Sequence, residues 1–326
     1  MILQIDELDD RAFDIKVGYK CNNKCLHCVV DPIRTDMKIR GQPIDLTTDE
    51  VLAAIDNAKA HQGSAVILTG GEVTIRADFS RIVSHAATQG MKVTLQSNGR
   101  ALANMENCRA LEKIPNLTLV IAIHANTSVI HDAITGRKGS YEQTICAVQN
   151  LRKIGKQIIA KIVISKLNVE YLFSTVQFVE ELGVNQASLA FPHAPGFTVP
   201  RFHEVVPRYS AIKASIQSIA EHSDRVGFWV DFEAIPLCIC PSSPQFWGRS
   251  TDVISQRRTP TDRVFEERQF DASVLDWGTI RKDMKWKSNR CCQCLFDSLC
   301  EGPWIEYVDH YGSDEFKPIE QLEHRD

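Results

Sequence analysis

The stretch Cys21-Asn22-Asn23-Lys24-Cys25-Leu26-His27-Cys28 places three cysteines within eight residues, at the spacing C-x3-C-x2-C. A loop of this length can direct its three sulfurs at one metal cluster, and thiolates are the usual protein ligands of iron–sulfur clusters. Three cysteines on a four-iron cluster leave one iron open for a ligand that is not protein. An open coordination position is typical of catalytic metal sites rather than structural ones.

This cysteine loop resembles the signature of the radical S-adenosylmethionine (radical SAM) superfamily, in which an aromatic-type residue precedes the third cysteine. Here that residue is His27, and the loop follows residues 12–17, whose alternation predicts a β-strand. The resemblance implies a 4Fe-4S cluster on Cys21, Cys25 and Cys28, whose open iron is chelated by S-adenosylmethionine (SAM). It also implies that an electron passed to the cluster splits SAM into methionine and a 5′-deoxyadenosyl radical.

The same cysteines allow a different interpretation. Clustered cysteines are often zinc ligands, and His27 could supply the fourth donor of a zinc site. A zinc-binding interaction protein on an α/β scaffold is therefore an alternative of a different class.

Composition sets the broad class of the protein. The chain has 326 residues, of which 44% are apolar, so one large or two smaller domains with a sizeable core are expected. The formal net charge of -4 gives no electrostatic case for nucleic-acid binding. The sequence shows no signal-peptide pattern and no apolar run long enough for a membrane span. We expect a cytoplasmic protein, where thiols stay reduced.

Strand-like runs alternate with amphipathic helical patterns up to about residue 190, which predicts parallel βα units. The capping box of Thr47 and Glu50 predicts a helix to about residue 61, after an irregular polar stretch over 31–46. The six predicted strands are residues 12–17, 65–68, 91–96, 117–123, 157–164 and 186–190. Six units make an incomplete barrel, and the resemblance implies an α/β fold of the (β/α)6 partial-barrel type over residues 1–200.

Polar residues follow the first five predicted strands, at the edge where sites form in such folds. They are Cys21, Glu72, Ser97, His124 and Ser165. Independent polar residues would rarely coincide with this edge five times, so we expect them to share one site.

Several of these positions resemble family elements that bind SAM. Gly70-Gly71-Glu72 is similar to the GGE motif, in which the glycines admit a close ligand and a carboxylate or carbonyl receives the SAM ammonium group. By the same resemblance, Ser97 or Asn98 would hold the ribose or the methionine carboxylate. Ser165 and Asn168 would lie near the adenine. Gly70-Gly71-Glu72 and Asn98 also fit ordinary turns at strand ends, which favours Ser97 over Asn98 as the ligand-binding residue.

His124 closes the fourth predicted strand and is either a satisfied polar residue or a proton donor or acceptor that faces the substrate. Arg137 and Lys138 could steer the SAM carboxylate or an acidic substrate, although solvated loop charges are the better explanation of both residues. The run Phe191-Pro192-His193 follows the sixth strand and is a candidate for the substrate end of the site.

A second group of cysteines lies in residues 201–326, and Cys291, Cys294 and Cys300 are spaced C-x2-C-x5-C. With Cys238 they would supply four thiolates to one fully ligated auxiliary 4Fe-4S cluster. This group resembles the extension called SPASM, or its shortened twitch form, although Trp304 stands where a further cysteine is expected.

The sequence leaves three points about this C-terminal region open. Cys240 or Cys292 could replace one of the proposed ligands, and a structural zinc ribbon is the alternative to an iron–sulfur cluster. Residues 241–289 are predicted to form a long irregular loop, which could cover the mouth of the barrel.

Together these features predict an enzyme that abstracts hydrogen from its substrate with a carbon-centred radical. We expect the substrate to be a ribosomal peptide or a protein that undergoes crosslinking or oxidation. The alternative is a dehydrogenase or decarboxylase of a small molecule such as a sugar, a nucleoside or a cofactor precursor. The resemblance also implies flavodoxin or ferredoxin as electron donor.

Overall fold

The computed structural model describes residues 11–256, 264–267 and 274–322. The described strands are β1 (Ala12–Lys16), β2 (Ala65–Thr69), β3 (Lys92–Ser97), β4 (Leu117–Ala122), β5 (Gln157–Val163), β6 (Gln186–Ala190), β7 (Trp229–Glu233), β8 (Val264–Glu267) and β9 (Val274–Asp276). They form one sheet in the order β7-β6-β5-β4-β3-β2-β1-β8-β9. Each neighbouring pair from β7 to β8 is parallel, and only β9 is antiparallel to its neighbour.

Helices connect these strands and cover the sheet. The described α-helices are α1 (Asp31–Ile39), α2 (Thr48–Ala60), α3 (Phe79–Thr88), α4 (Met105–Glu112), α5 (Ser128–Thr135), α6 (Ser140–Lys153), α7 (Leu172–Glu181), α8 (Val199–Val205), α9 (Tyr209–Val226), α10 (Pro244–Trp247), α11 (Thr251–Gln256), α12 (Trp277–Asp283) and α13 (Ile305–Tyr311). Alternate strand residues such as Phe13, Ile15, Leu119 and Ile121 are buried in the main core. This period of two places the opposite face of each strand toward the barrel interior.

The arrangement confirms the predicted fold class, a (β/α)6 partial barrel. β1 to β6 follow one another in the sheet as the alternation predicted, and each pairs in parallel with the next. The capping box is also confirmed, because the Thr47 side chain accepts from the Glu50 N–H and the Glu50 carboxylate accepts from the Thr47 N–H. α2 therefore begins where the sequence predicted.

Two predictions of irregular structure are wrong. Residues 31–46 contain α1, which begins with Asp31-Pro32; proline suits the first turn of a helix, where its missing N–H costs no hydrogen bond. Residues 241–289 contain α10, α11, β8, β9 and α12 in their described parts. α10 begins with Pro244 after Ser243, whose side chain accepts from the Phe246 N–H. Residues 257–263 and 268–273 of the predicted loop lie outside the described residues.

The sheet also continues past residue 200. β7 pairs in parallel with β6, with Ala190 opposite Glu233, and α9 leads into it. The division into residues 1–200 and 201–326 stays a prediction, and the structure adds that the second part supplies a strand to the sheet of the first. No helix in the described part of the chain is long and apolar enough to cross a membrane.

Candidate functional site

The cysteine loop follows β1 and is held in place by main-chain hydrogen bonds to the end of α5. The Lys24 N–H donates to the Thr135 carbonyl at 2.9 Å, and the Leu26 N–H donates to the Ile134 carbonyl at 2.9 Å. Because these bonds join segments far apart in sequence, the position of the loop depends on the folded barrel.

The three thiols of the loop are free and partly buried. Burial, together with the neighbouring thiols Cys28 and Cys21, raises the pKa of Cys25 to about 12. The pKa values of Cys21 and Cys28 are also raised, mainly by burial. Thiols crowded in this way ionise poorly in the absence of a metal. They lose their protons when a metal binds, because the positive charge of the metal outweighs the cost of burying the thiolates. This donor set fits an iron–sulfur cluster.

Gly70 and Gly71 let the end of β2 approach the start of the cysteine loop. The Gly71 N–H donates to the Gly18 carbonyl and the Glu72 N–H to the Lys20 carbonyl, each at 2.8 Å. A Cβ on Gly71 would lie 2.1 Å from the Lys20 oxygen, and Gly70 also has a positive φ of +127°. The glycines are therefore required by the backbone of the loop itself.

Replacing Gly71 with alanine should accordingly displace the cysteine loop and destabilise the fold by about 3 kcal/mol, because the added methyl group meets main chain that cannot move freely. Gly248→Ala is the matched control, since its Cβ would meet its nearest atom at an ordinary 3.5 Å. Urea unfolding measures both changes. Equal midpoints for the two variants would contradict the assigned contact.

The Glu72 carboxylate is buried and accepts hydrogen bonds from three neighbouring residues. The Ser97 hydroxyl donates to Oε1 at 2.7 Å, the Thr74 N–H donates to the same oxygen at 3.0 Å, and the Asn98 N–H donates to Oε2 at 2.6 Å. Its carboxylate thus joins the ends of β2 and β3. If Glu72 contacts SAM, we therefore expect its main chain, and not its carboxylate, to make the contact.

Asn98 connects the end of β3 to the cysteine loop. Its Nδ2 group donates to Asn22 Oδ1 at 2.7 Å and approaches the Cys21 sulfur at 3.8 Å. Arg100 donates to Asn23 Oδ1 at 2.9 Å. The polar residues after β1, β2 and β3 therefore form one hydrogen-bonded group around Cys21, as the sequence predicted for this edge of the sheet.

His124 is 1% exposed, and its ring packs edge-on against His27 with centroids 4.6 Å apart. Burial holds the pKa of His124 well below its usual value and lowers that of His27 to about 4, so both rings are neutral near pH 7. Asn168 donates to the His124 carbonyl at 2.8 Å, and the Ser165 N–H donates to Asn168 Oδ1 at 2.7 Å. The structure brings these predicted site residues together, largely bonded to one another.

Other contacts to the loop were not predicted from the sequence. The Arg137 side chain donates to the Asn22 carbonyl at 3.2 Å, and Arg201 donates to the Leu26 carbonyl at 3.1 Å. Both arginines are far from these carbonyls in the sequence and reach them only in the folded chain. No local sequence pattern predicts such contacts. His193 stacks on Trp304 with ring centroids 4.0 Å apart and lies 3.3 Å from the Glu306 carboxylate, so its ring contacts the C-terminal region.

A cavity lies in the C-terminal region, and all four predicted auxiliary ligands line it: Cys238, Cys291, Cys294 and Cys300. Burial, together with the neighbouring thiol of Cys300, raises the pKa of Cys238 to about 12. Four converging sulfurs in a largely apolar pocket fit a fully ligated cluster. Cys240 instead is buried against the Lys213 carbonyl, and Cys292 is exposed beside the Asn289 carbonyl.

A network of charged side chains attaches this region to the strand ends. Arg281 donates to Glu301 at 2.5 Å and lies 3.5 Å from the Glu233 carboxylate at the end of β7. Lys161 of β5 pairs with Glu233 from the other side. The nearby positive charge of Lys161 lowers the pKa of Glu233 to about 2, so this carboxylate is ionised near pH 7.

Comparison with known proteins identifies the family. The model of the radical SAM superfamily matches residues 15–179, about half of the chain, from β1 through most of α7. The chain belongs to the radical SAM superfamily. It is therefore a radical SAM enzyme that uses a 4Fe-4S cluster and SAM, and this membership argues against the zinc-binding interaction protein.

Curated relatives of this radical SAM enzyme match it over about half its length. An AdoMet-dependent heme synthase from Methanosarcina barkeri is 30% identical over 172 residues, 53% of this chain and 47% of the relative. A mycofactocin maturase MftC from Mycobacterium tuberculosis is 30% identical over 158 residues, 48% of this chain and 38% of the relative. The chain thus matches less than half of the length of either relative.

Solved structures share the fold along nearly the whole chain. SuiB from Streptococcus suis bound to precursor peptide SuiA has a TM-score of 0.66 at 15% identity, covering 97% of this chain and 77% of SuiB. The enzyme anSMEcpe with bound AdoMet and Cp18Cys peptide has a TM-score of 0.63 at 12% identity, covering 95% of this chain and 93% of that enzyme. At these identities the similarity shows a shared fold, which includes the C-terminal region.

Proposed function

We propose that this enzyme cleaves SAM reductively at a cluster held by Cys21, Cys25 and Cys28, and that the resulting radical abstracts hydrogen from a peptide or protein. The observation that carries the proposal is the hydrogen-bonded group that joins the ends of β2 and β3 to the cysteine loop through Glu72 and Asn98. When bound, the cluster supplies the electron that splits SAM and an open iron that anchors it.

The residues around the loop hold and orient the groups of the reaction. The main chain of residues 70–72 lies beside the loop and is hydrogen-bonded to its start. Ser97 and Asn98 lie at the end of β3, next to the Glu72 carboxylate. Ser165 and Asn168 fix the end of β5 around His124. We assign SAM to this strand edge, where these residues would hold it beside the cysteine loop. His124 lies too deeply for direct substrate contact, so we assign it to supporting the cluster side of the site.

In the C-terminal region we propose an auxiliary 4Fe-4S cluster on Cys238, Cys291, Cys294 and Cys300, which line one cavity. Four thiolates complete the coordination of such a cluster and leave no iron open. A cluster of this kind suits electron removal from a substrate radical better than SAM binding. The network from Glu301 through Arg281 to Glu233 fixes its position relative to the strand ends.

The ligand assignment predicts different iron contents for two neighbouring cysteine variants. The wild-type chain should bind about eight irons after anaerobic reconstitution, and Cys294→Ser should retain about four. Cys292→Ser, the matched control, should keep about eight because its thiol is exposed and lies outside the cavity. Iron and sulfide analysis measures all three. Equal losses in the two variants would contradict this ligand set.

A peptide or protein substrate is supported by two fold neighbours that were solved with peptides bound, SuiB with SuiA and anSMEcpe with Cp18Cys. Both cover the C-terminal region of this chain as well as the barrel. A small-molecule substrate is the second candidate, and it is favoured by the similarity to AdoMet-dependent heme synthase. As electron donor we propose a flavodoxin or ferredoxin.

Hydrogen abstraction itself distinguishes these substrates. The reconstituted enzyme is incubated with SAM, dithionite and extract from perdeuterated cells, and the 5′-deoxyadenosine is analysed for deuterium by mass spectrometry. We expect deuterium transfer from the fraction above about 1 kDa, lost when that fraction is first treated with protease. Transfer only from the low-mass fraction would establish the small-molecule alternative, and transfer from neither would contradict hydrogen abstraction from a cellular substrate.

A further inference from the structure

Two imidazole rings lie beside the sulfur of Cys25. One donor atom from each of Cys25, His27 and His124 lies within 4.8 Å of the other two. The two rings meet edge to face at an interplanar angle of 74°. Packing of this kind would be served equally by phenylalanine at either position. The ring nitrogens therefore require an explanation beyond packing.

The surroundings of His124 fix which nitrogen can donate. The Val163 N–H donates to His124 Nδ1 at 3.4 Å, so that nitrogen is an acceptor and the ring proton of the neutral tautomer belongs on Nε2. The main chain of His124 is held as well, because its N–H donates to His131 Nδ1 at 3.2 Å and its carbonyl accepts from Asn168. His124 is thus presented as an N–H donor with little freedom to turn.

His27 carries an unsatisfied buried nitrogen. Its Nδ1 atom is inaccessible and has no hydrogen-bond partner among the described residues. Buried polar atoms are nearly always paired, and each unpaired one calls for a missing partner. One ring nitrogen of His27 also lies within 4.8 Å of the Cys25 sulfur, so the group that would adjoin the ring is the cluster that Cys25 holds.

We propose that His27 and His124 donate N–H hydrogen bonds to sulfur atoms at the Cys25 corner of the SAM-binding cluster, and that these bonds raise its reduction potential. The inference rests on the proposed function, since it requires a cluster on Cys25. Reduction adds one negative charge to the cluster, and N–H donors aimed at its sulfurs stabilise the more negative form. Both histidines thereby act on the potential of the cluster through its sulfur atoms.

The test is a redox titration of the complete, anaerobically reconstituted enzyme, followed by electron paramagnetic resonance of the reduced SAM-binding cluster. Its signal is recognised by its change on adding SAM. At the wild-type midpoint, His27→Phe and His124→Phe should each lower the reduced fraction from one half to about one tenth, a tenfold change in ratio that corresponds to about 59 mV. His27→Gln restores an N–H donor and should recover most of the shift.

His222→Phe is the control, because His222 pairs with Glu180 on the outer helices and should leave the potential unchanged. Iron content is measured first, so that loss of the cluster is not mistaken for a change in potential. If a phenylalanine variant loses iron, the glutamine and alanine variants at the same position are used instead. Their reduction potentials are then compared, because glutamine keeps an N–H donor and alanine does not. Wild-type potentials in iron-replete variants would overturn this inference while leaving SAM cleavage intact. A wild-type chain without a SAM-sensitive cluster would instead overturn the proposed function.

Discussion

Replacing Cys25 with alanine should reduce the formation of 5′-deoxyadenosine from SAM to the background of a reaction without protein. Three thiolates are the minimum that leaves a cubane both bound and open at one iron, and Cys25 is the most deeply placed of the three, with a pKa raised by burial to about 12. Its loss removes a ligand that no nearby cysteine replaces, since Cys238 and its partners line a different cavity. Chromatography of anaerobic reactions with SAM and dithionite measures the product.

The matched control for this variant is Cys146→Ala. Cys146 lies in α6, where its thiol contacts the Ala103 carbonyl at 3.6 Å and reaches neither group of clustered cysteines. We expect wild-type product formation from this control. Retention of SAM cleavage by the Cys25 variant at a rate near that of the control would show that the cysteine loop does not hold the reactive cluster. The auxiliary cluster should persist in the Cys25 variant, with about four irons remaining.

Replacing Glu72 with alanine should destabilise the fold by about 3–5 kcal/mol, because it leaves several buried donors without an acceptor. The affected groups are the Thr74 N–H, the Ser97 hydroxyl and the Asn98 N–H. Because they link the ends of β2 and β3, the variant should also loosen Asn98 from the cysteine loop. Glu72→Gln keeps one acceptor oxygen and should lose less, about 1–2 kcal/mol.

Urea unfolding of the three proteins measures these differences from shifts in the midpoint at constant slope. Glu221→Gln is the control, since Glu221 is exposed on α9 and its replacement should stay within about 0.5 kcal/mol of wild type. If Glu72→Ala unfolds at the wild-type midpoint yet fails to bind SAM, the carboxylate is a ligand rather than a structural acceptor. That result would overturn the assignment of its bonds within the protein.

The barrel could be predicted from the sequence because its strands are short, apolar and separated by amphipathic helices. Parallel strands place their carboxyl ends at one edge, so the sequence predicts that the polar residues after β1 to β5 converge. The hydrogen bonds that Asn98 donates to the Glu72 carboxylate and to the Cys21 sulfur bear out that convergence for the first three strands. The spacing of the motif could not show that the Glu72 carboxylate accepts hydrogen bonds from within the protein. The same motif would fit a carboxylate that binds a ligand.

The C-terminal region was harder to predict. Its short elements lack the periodicity of long helices and strands, so α10 and α12 within the predicted loop were missed. The choice of Cys238 over Cys240 depends on a turn of the chain that spacing does not specify, whereas the structure directs only the former into the cavity. The network of Arg281, Glu233 and Glu301 joins residues distant in sequence, which no local pattern reveals.

The central claim is that one iron of the cluster on Cys21, Cys25 and Cys28 has no protein ligand and receives SAM. Electron–nuclear double resonance of the reduced enzyme with SAM carrying 15N in its amino group tests this directly. We predict a hyperfine coupling from the SAM nitrogen to the cluster in the wild-type enzyme. The contradicting result is a cluster that gives no coupling to labelled SAM and instead shows a coupling to protein nitrogen that His27→Phe or His124→Phe removes, since an imidazole would then occupy the fourth iron.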